Sequence, residues 1–212
     1  MIKQFTFNHF EVNTYVVVDE TTKQCAIVDP ACEASFEDSQ LIEYIEDSHL
    51  TVCLVLLTHA HVDHIAGLRQ CCEHFRLPVS MHGEGRKLLK QAEAYGSIMG
   101  FAVDNMDDLE VREIEDNEVL HVGNIEVECR YVPGHCPGSL CFVVPADKAV
   151  ITGDALFHFS IGRTDLPGGD YPTLIDKLKT RILTLPDDYV VFPGHGIASQ
   201  IGKEKKYNSF LM

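Results

Sequence analysis

Basic residues are scarce in this chain: 17 Lys and Arg stand against 32 Asp and Glu, for a formal charge of −15. Affinity for nucleic-acid backbones comes mainly from Lys and Arg, so this balance excludes DNA and RNA as expected partners. No apolar stretch approaches the ~20 residues that a membrane-spanning helix needs, and no membrane partner is expected. Residues 1–9 contain neither a long apolar core nor a small-residue cleavage site, so the expectation is no export signal and a cytoplasmic address. Eight cysteines are present but no C-x-x-C pair. Cys25, Cys53, Cys129 and Cys141 lie within apolar runs and are expected as small buried hydrophobes, not disulfide partners. Low-complexity segments and linkers are also missing, so residues 1–212 read as one domain.

What remains is an ordinary globular composition, 45% hydrophobic and 23% charged. Short β-like runs at 3–7, 14–18 and 25–28 suggest a meander ending at Asp29-Pro30. A helix is expected over 35–47, with Phe36, Leu41, Ile42 and Ile45 on its apolar face. The continuous apolar run 52–57 predicts a strand covered on both faces. Helices are expected at 65–75, 85–93 and 171–183, the last entered through Tyr171-Pro172. Strands are expected around 118–121, 125–132, 140–144, 149–152 and 189–192. The acidic stretch 94–118 shows no sustained period and reads as a surface loop.

Four apolar runs end directly in a metal-ligand side chain: 54–59 in His59, 131–135 in His135, 150–154 in Asp154 and 190–195 in His195. Ligands gather where strands end, because the turns there vary freely while the sheet holds them rigidly. The densest segment is Thr58-His59-Ala60-His61-Val62-Asp63-His64. Imidazole is the commonest transition-metal ligand, and carboxylate binds similar ions. Four such side chains cannot crowd around one tetrahedral ion. Alternation would send His59 and His61 one way and Asp63 with His64 another, which serves two neighbouring ions. His135 would complete the first set and His195 the second, with Asp154 bridging both. The other histidines (9, 49, 74, 82, 121, 158) are expected to be structural or solvent-facing, although His82 and His158 follow apolar runs and could line the cleft.

This H-x-H-x-D-H run, with the later His135, Asp154 and His195, resembles the metallo-β-lactamase superfamily over nearly the whole chain. The resemblance implies an α/β fold, a four-layer αβ/βα sandwich of two mixed sheets with helices on the outer faces. Within the superfamily the sequence is similar to glyoxalase II-type hydrolases. A short branch of these shares the runs Gly153-Asp154-Ala155-Leu156-Phe157 and 160–170, and the ending Asn208-Ser209-Phe210-Leu211, where that branch usually has Pro in place of Ser209. The resemblance implies two divalent metal ions, zinc foremost, with iron or manganese also accepted by such ligands. It implies a small-molecule thioester as substrate. Two ions lower the pKa of a shared water toward ~7 and stabilise an oxyanion. Asp63 and Asp154 would be the catalytic carboxylates that orient the attacking oxygen and carry a proton.

Longer glyoxalase II proteins carry a C-terminal helical domain with basic residues for glutathione, whereas here only residues 196–212 follow His195, so glutathione recognition does not transfer with that domain. Arg163 stands where similar enzymes tend to have a substrate-binding Lys; its fork of donors suits a substrate carboxylate, and a salt bridge to Asp165 is the competing reading. Cys136 reads as a small space-filling residue, and Lys203, Lys205 and Lys206 as a solvated helix face. The rival reading is a persulfide dioxygenase, which the sequence also resembles through the first histidine motif, residues 59–64, and through Gly162-Arg163-Thr164-Asp165. Such enzymes use one iron, and their ligands correspond to His59, His135 and Asp154. The Pro193-Gly194-His195-Gly196 turn resembles the hydrolase form and favours two metals.

Overall fold

The computed structural model describes residues 1–212. Two six-stranded mixed sheets lie face to face. The first contains β1 (Ile2–Phe7), β2 (Val12–Val18), β3 (Gln24–Val28), β4 (Thr51–Leu56), β5 (Val79–Met81) and β6 (Val111–Glu113), in that spatial order. Its first three strands pair antiparallel, and the pairs from β3 to β6 are parallel. The change follows from the connections: tight turns join the meander, while crossovers carry α1 (Ser35–Asp47) and α2 (Leu68–Phe75) before the next strand.

The second sheet is built from β7 (Val119–Val122), β8 (Ile125–Tyr131), β9 (Leu140–Val144), β10 (Ala149–Gly153), β13 (Val190–Pro193) and β14 (Ser199–Gln200). A small hairpin, β11 (Leu156–Phe157) and β12 (Ser160–Ile161), follows β10. Only β10 and β13 pair in parallel here, across the crossover that contains α5 (Tyr171–Lys177). The Asp170 side chain caps α5 by accepting from the Thr173 amide, and Pro172 sits in its first turn. A wider π turn, Leu178–Ile182, continues it, and α6 (Ile201–Tyr207) follows β14.

Burial divides into three layers of contact, which define four layers of structure. Tyr15, Val17 and Val28 of the first sheet face Phe142, Val144 and Ile151 of the second. On the first sheet's other face Val16, Val18 and Ile27 meet Leu41 and Ile45 of α1 and Leu68 of α2. Val143, Val150 and Val191 meet Leu174, Leu178 and Ile182 on the far face of the second sheet. Strand β2 is therefore buried along its whole length, its alternate residues entering different cores. The α/β four-layer expectation agrees with this arrangement. All eight cysteines are free; seven are buried and Cys53 is partly so. No helix is long and apolar enough to cross a membrane.

Three expectations need correction. Residues 94–118 are not one loop: α4 (Ala92–Met99) and β6 fall largely within them, and the helix expected at 85–93 is the short α3 (Arg86–Lys90) broken from α4 at Gln91. The helix expected from residue 65 starts at Leu68, because 61–68 winds in tight i→i+3 turns: His61 to His64, Val62 to Ile65 and Ile65 to Leu68. Phe36 does not join the apolar face of α1; it is 71% exposed, while Leu41 and Ile45 are buried.

Candidate metal centre

The parallel pairing of β3 with β4 places their C-terminal ends side by side, Val28 opposite Leu56. Asp29 follows the first strand, and Thr58-His59 follows the second. The edge of the second sheet meets them: Val12 bridges to His195, and the Asn13 amide donates to the Gly194 carbonyl at 2.7 Å. The Asn13 side chain donates to the Pro193 and Gly196 carbonyls, and the Tyr15 hydroxyl donates to Pro193 as well. The two sheets are thus stitched together beside the turn that presents His195.

Glycines make that edge passable. Gly153 has a φ of +48°, and a Cβ on it would lie 2.3 Å from Thr58 Oγ1. A Cβ on Gly194 would lie 2.2 Å from Asp154 Oδ1 and 2.7 Å from His64 Cε1. Gly194 lets backbone approach the ligands, and Gly153 lets it approach Thr58 behind them, more closely than any side chain permits.

Seven side chains singled out from the sequence converge here in two groups. In the first, His61 Nδ1 and His135 Nε2 face each other at 2.9 Å, and the His59 ring lies 4.7 and 5.0 Å from theirs. In the second, His64 Nε2 is 3.2 Å from Asp154 Oδ1 and 3.8 Å from Asp63 Oδ2, while His195 Nε2 is 3.3 Å from Asp63 Oδ2. Asp154 belongs to both, with Oδ2 3.6 Å from His195 Nε2 and 3.8 Å from His135 Nε2.

The other imidazole nitrogens fix which atoms point inward. His135 Nδ1 donates to the Arg163 carbonyl at 2.8 Å, and His195 Nδ1 to the Phe10 carbonyl at 3.0 Å. His64 Nδ1 donates to Asp29 Oδ2 at 2.9 Å. His59 Nδ1 lies 3.0 Å from Thr58 Oγ1, whose own proton goes to Asp29 Oδ2 at 2.6 Å. Each of these rings, when neutral, aims an Nε2 lone pair into the site.

Asp29 stands behind both groups, and the sequence reading did not single it out. It accepts from the Thr58 amide, the Thr58 hydroxyl and His64 while almost fully buried, with its backbone at a φ of +52°. The signal available was a carboxylate ending a strand beside the strand that ends in His59. Asp-Pro also ends ordinary turns, which masked it.

The charges divide in the same way as the geometry. Burial and the neighbouring imidazoles hold His59 well below the ordinary histidine value; burial and His135 push His61 down to about 4. Burial also lowers His135. Burial opposes charge on His64 and His195 too, but Asp154 and Asp63 outweigh it and raise both. Burial likewise opposes ionisation of Asp63 and Asp154, and the histidines, led by His64, outweigh it and lower both.

Three buried ligand atoms, His59 Nε2, His64 Nε2 and Asp154 Oδ1, have no hydrogen-bond partner. Lone pairs left facing one another at this depth are costly unless a cation lies among them. The ligand atoms of His59, His61 and His135 lie within 4.8 Å of one another, as do those of Asp63, His64 and His195. This donor set fits metal ions.

The remaining candidates separate. The Arg163 guanidinium forms a two-point pair with Asp165, at 2.8 and 2.9 Å, on the rim. The Cys136 sulfur joins the first histidine group within that same 4.8 Å radius, but burial pushes its thiol up to about 12, and it lies 3.3 Å from Ser139 Oγ. Such a thiol is a weak nucleophile. His82 stacks on Tyr131, and His158 faces Ser199, both away from the ligands. A cavity of 460 Å³ opens over the ligands, walled by Phe10, Tyr95, Ile98, Met99, Arg163 and Leu166.

Comparison with known proteins agrees with this geometry. Residues 8–195 match the family model described as the metallo-beta-lactamase superfamily. The chain is 36% identical over 209 residues to hydroxyacylglutathione hydrolase GloC of Haemophilus influenzae, covering 95% of this chain and 93% of that one. The crystal structure of the BLEG-1 B3 metallo-beta-lactamase superposes with a TM-score of 0.90 at 31% identity, covering both chains completely. TTHA1623, solved in a di-iron-bound form, superposes with a TM-score of 0.87 at 33% identity, over 99% of this chain and 100% of that one.

Proposed function

This chain belongs to the metallo-β-lactamase superfamily, and from that premise we propose that it is a dinuclear thioester hydrolase of the glyoxalase II type, acting on S-2-hydroxyacylglutathione or a related thioester. The family supports a metal-dependent hydrolase. The observation that carries the dinuclear reading is the pairing of two ligand groups through one carboxylate, and the 36% identity to hydroxyacylglutathione hydrolase GloC supports the thioester. His59, His61 and His135 would hold one divalent ion, Asp63, His64 and His195 the other, and Asp154 would bridge them. Zinc suits these nitrogen and oxygen donors. When bound, such ions acidify a water molecule and polarise a carbonyl.

Water adds to the thioester carbonyl, the C–S bond breaks, and the thiol departs with the proton that water has lost. No side-chain nucleophile is needed, consistent with the protonated Cys136. Asp63 lines the cavity, and its carboxylate is the group placed to take up that proton and return it to the leaving sulfur. Thr58 and Asp29 hold the His59 and His64 rings in register, and the Arg163 carbonyl holds His135. The Arg163 side chain, on the cavity rim, is the candidate grip for a substrate carboxylate, at the cost of loosening its pair with Asp165.

A one-iron persulfide dioxygenase would use His59, His135 and Asp154 alone; the turn that brings His195 Nε2 to 3.3 Å from Asp63 Oδ2 and completes the second group favours two ions. The likeness to BLEG-1 makes β-lactam hydrolysis the second reading, since opening that ring is also attack of water on a carbonyl. The test is release of free thiol from S-lactoylglutathione by metal-loaded protein, in air and under argon, beside a chromogenic cephalosporin. Chelator-sensitive, oxygen-independent turnover of the thioester, at roughly 10⁴ M⁻¹s⁻¹ or more, is expected. Turnover of the cephalosporin alone would reverse the order of the two readings, and oxygen consumption with a persulfide would replace both.

A further inference from the structure

The two ends of the cavity differ in chemistry. At the His195 end, the Phe10 carbonyl holds the His195 ring, and the Phe10 ring packs edge-on against Phe101 at 5.0 Å. The Phe101 amide donates back to the Gly96 carbonyl, so α4 is anchored at this end. Helix α4 then presents Tyr95, Ile98 and Met99 to the cavity, at 39%, 78% and 44% exposure. Large apolar side chains left open beside ligand atoms lose contact with water only when something apolar covers them. At the His135 end the Arg163 carbonyl holds the ring and the Arg163 guanidinium reaches the rim. Arg163 is the one Lys or Arg residue lining the cavity.

We propose that this chain selects thioesters whose acyl group is apolar, aromatic or branched aliphatic, and seats that group on the wall of Phe10, Tyr95, Ile98 and Met99. The proposal rests on the thioesterase reading and adds the acyl class to it. A glutathione carrier presents two carboxylates and an ammonium, which gain nothing from that wall. It belongs at the Arg163 end, with the reacting carbonyl over the ligands between them. A lactoyl group, with one methyl, would leave the wall largely bare.

Two 2-hydroxyacyl esters of the same carrier separate the effects: S-mandeloylglutathione carries a phenyl where S-lactoylglutathione carries a methyl. An apolar subsite discriminates at the level of about tenfold or more for small apolar differences. Metal-loaded protein is expected to favour the mandeloyl ester in kcat/KM by at least that factor. The double variant Ile98→Ser, Met99→Ser, altered at exposed positions, is expected to bring the ratio toward one, chiefly through KM. Calorimetry with two unreactive thioethers gives a readout apart from turnover: S-benzylglutathione should bind about tenfold tighter than S-methylglutathione, and the variant should lose the difference. A lactoyl preference, equal thioether affinities, or a ratio unmoved in the variant would overturn the proposed wall. Inactivity on both esters with the thioether difference intact would instead overturn the thioesterase reading and leave the apolar subsite standing.

Discussion

The Asp29 carboxylate accepts the Nδ1 proton of His64 at 2.9 Å and, through the Thr58 hydroxyl, also backs His59. One buried side chain thereby orients a ring in each ligand group. Asp29→Asn keeps the shape but places an amide where three donors converge, so at least one hydrogen bond fails. Replacing partners of this kind weakens metal binding about 10- to 100-fold. Zinc titration against a competing chelator should show that loss with the circular dichroism unchanged; wild-type affinity would mean that Asp29 serves the fold alone.

Gly194→Ala tests how tightly the His195 turn fits. The added methyl would meet Asp154 Oδ1 and His64 Cε1 far inside contact distance. Neither neighbour can yield without moving a ligand. The variant is expected to fold and to hold less than its full complement of metal by elemental analysis. Full occupancy would show that the turn relaxes without disturbing the ligands.

The metal-free protein should lose stability on both sides of neutral pH. His61 titrates near 4 when folded, against about 6.5 when unfolded. Between those values the unfolded chain binds a proton that the folded chain refuses, so stability falls as pH drops through the window. His59 and His135, lowered too, act in the same direction. His64 and His195, raised by their carboxylates, contribute stability that is complete below about 6.5 and is lost as pH rises through their folded values. Urea midpoints measured with chelator from pH 4 to 9 should pass through a maximum. A steady rise across the whole range would contradict this division of charge.

Glu204 is fully buried in α6. It accepts from the Phe159 amide at 3.1 Å, from the Ser199 hydroxyl, and from the Asn208 side chain at 2.8 Å. It thus ties the C-terminal helix to the β11–β12 hairpin that directly follows Asp154. Glu204→Ala strands those donors, and each unsatisfied buried group costs about 1–3 kcal/mol. A clear drop in urea midpoint is expected; an unchanged midpoint would show that water replaces the carboxylate.

The strands that build the site were legible because their chemistry is two-sided. The run 140–144 is apolar throughout, as burial on both faces requires, and the runs 54–59, 131–135, 150–154 and 190–195 end in side chains that packing does not explain. The ligands were legible from the same contrast. Helix α4 was not, because its large apolar residues face the cavity and not a core, so no amphipathic period marks it. Strands β5 and β6, of three residues each, are too short for any period to show. Asp29 escaped notice because its role depends on the parallel pairing of β3 with β4, a long-range fact absent from its neighbourhood in the chain. Arg163 stayed ambiguous for the opposite reason: its partner Asp165 is local, and the cavity beside it is not.

Whether the two ligand groups hold two ions with Asp154 between them is read from anomalous X-ray diffraction by crystals of the metal-loaded protein. Two anomalous peaks per chain are expected, one beside His59, His61 and His135 and the other beside Asp63, His64 and His195, with the second lost in His195→Ala. A single peak among His59, His135 and Asp154, with Asp63 and His64 turned away, would contradict the two-ion arrangement and favour one-iron chemistry.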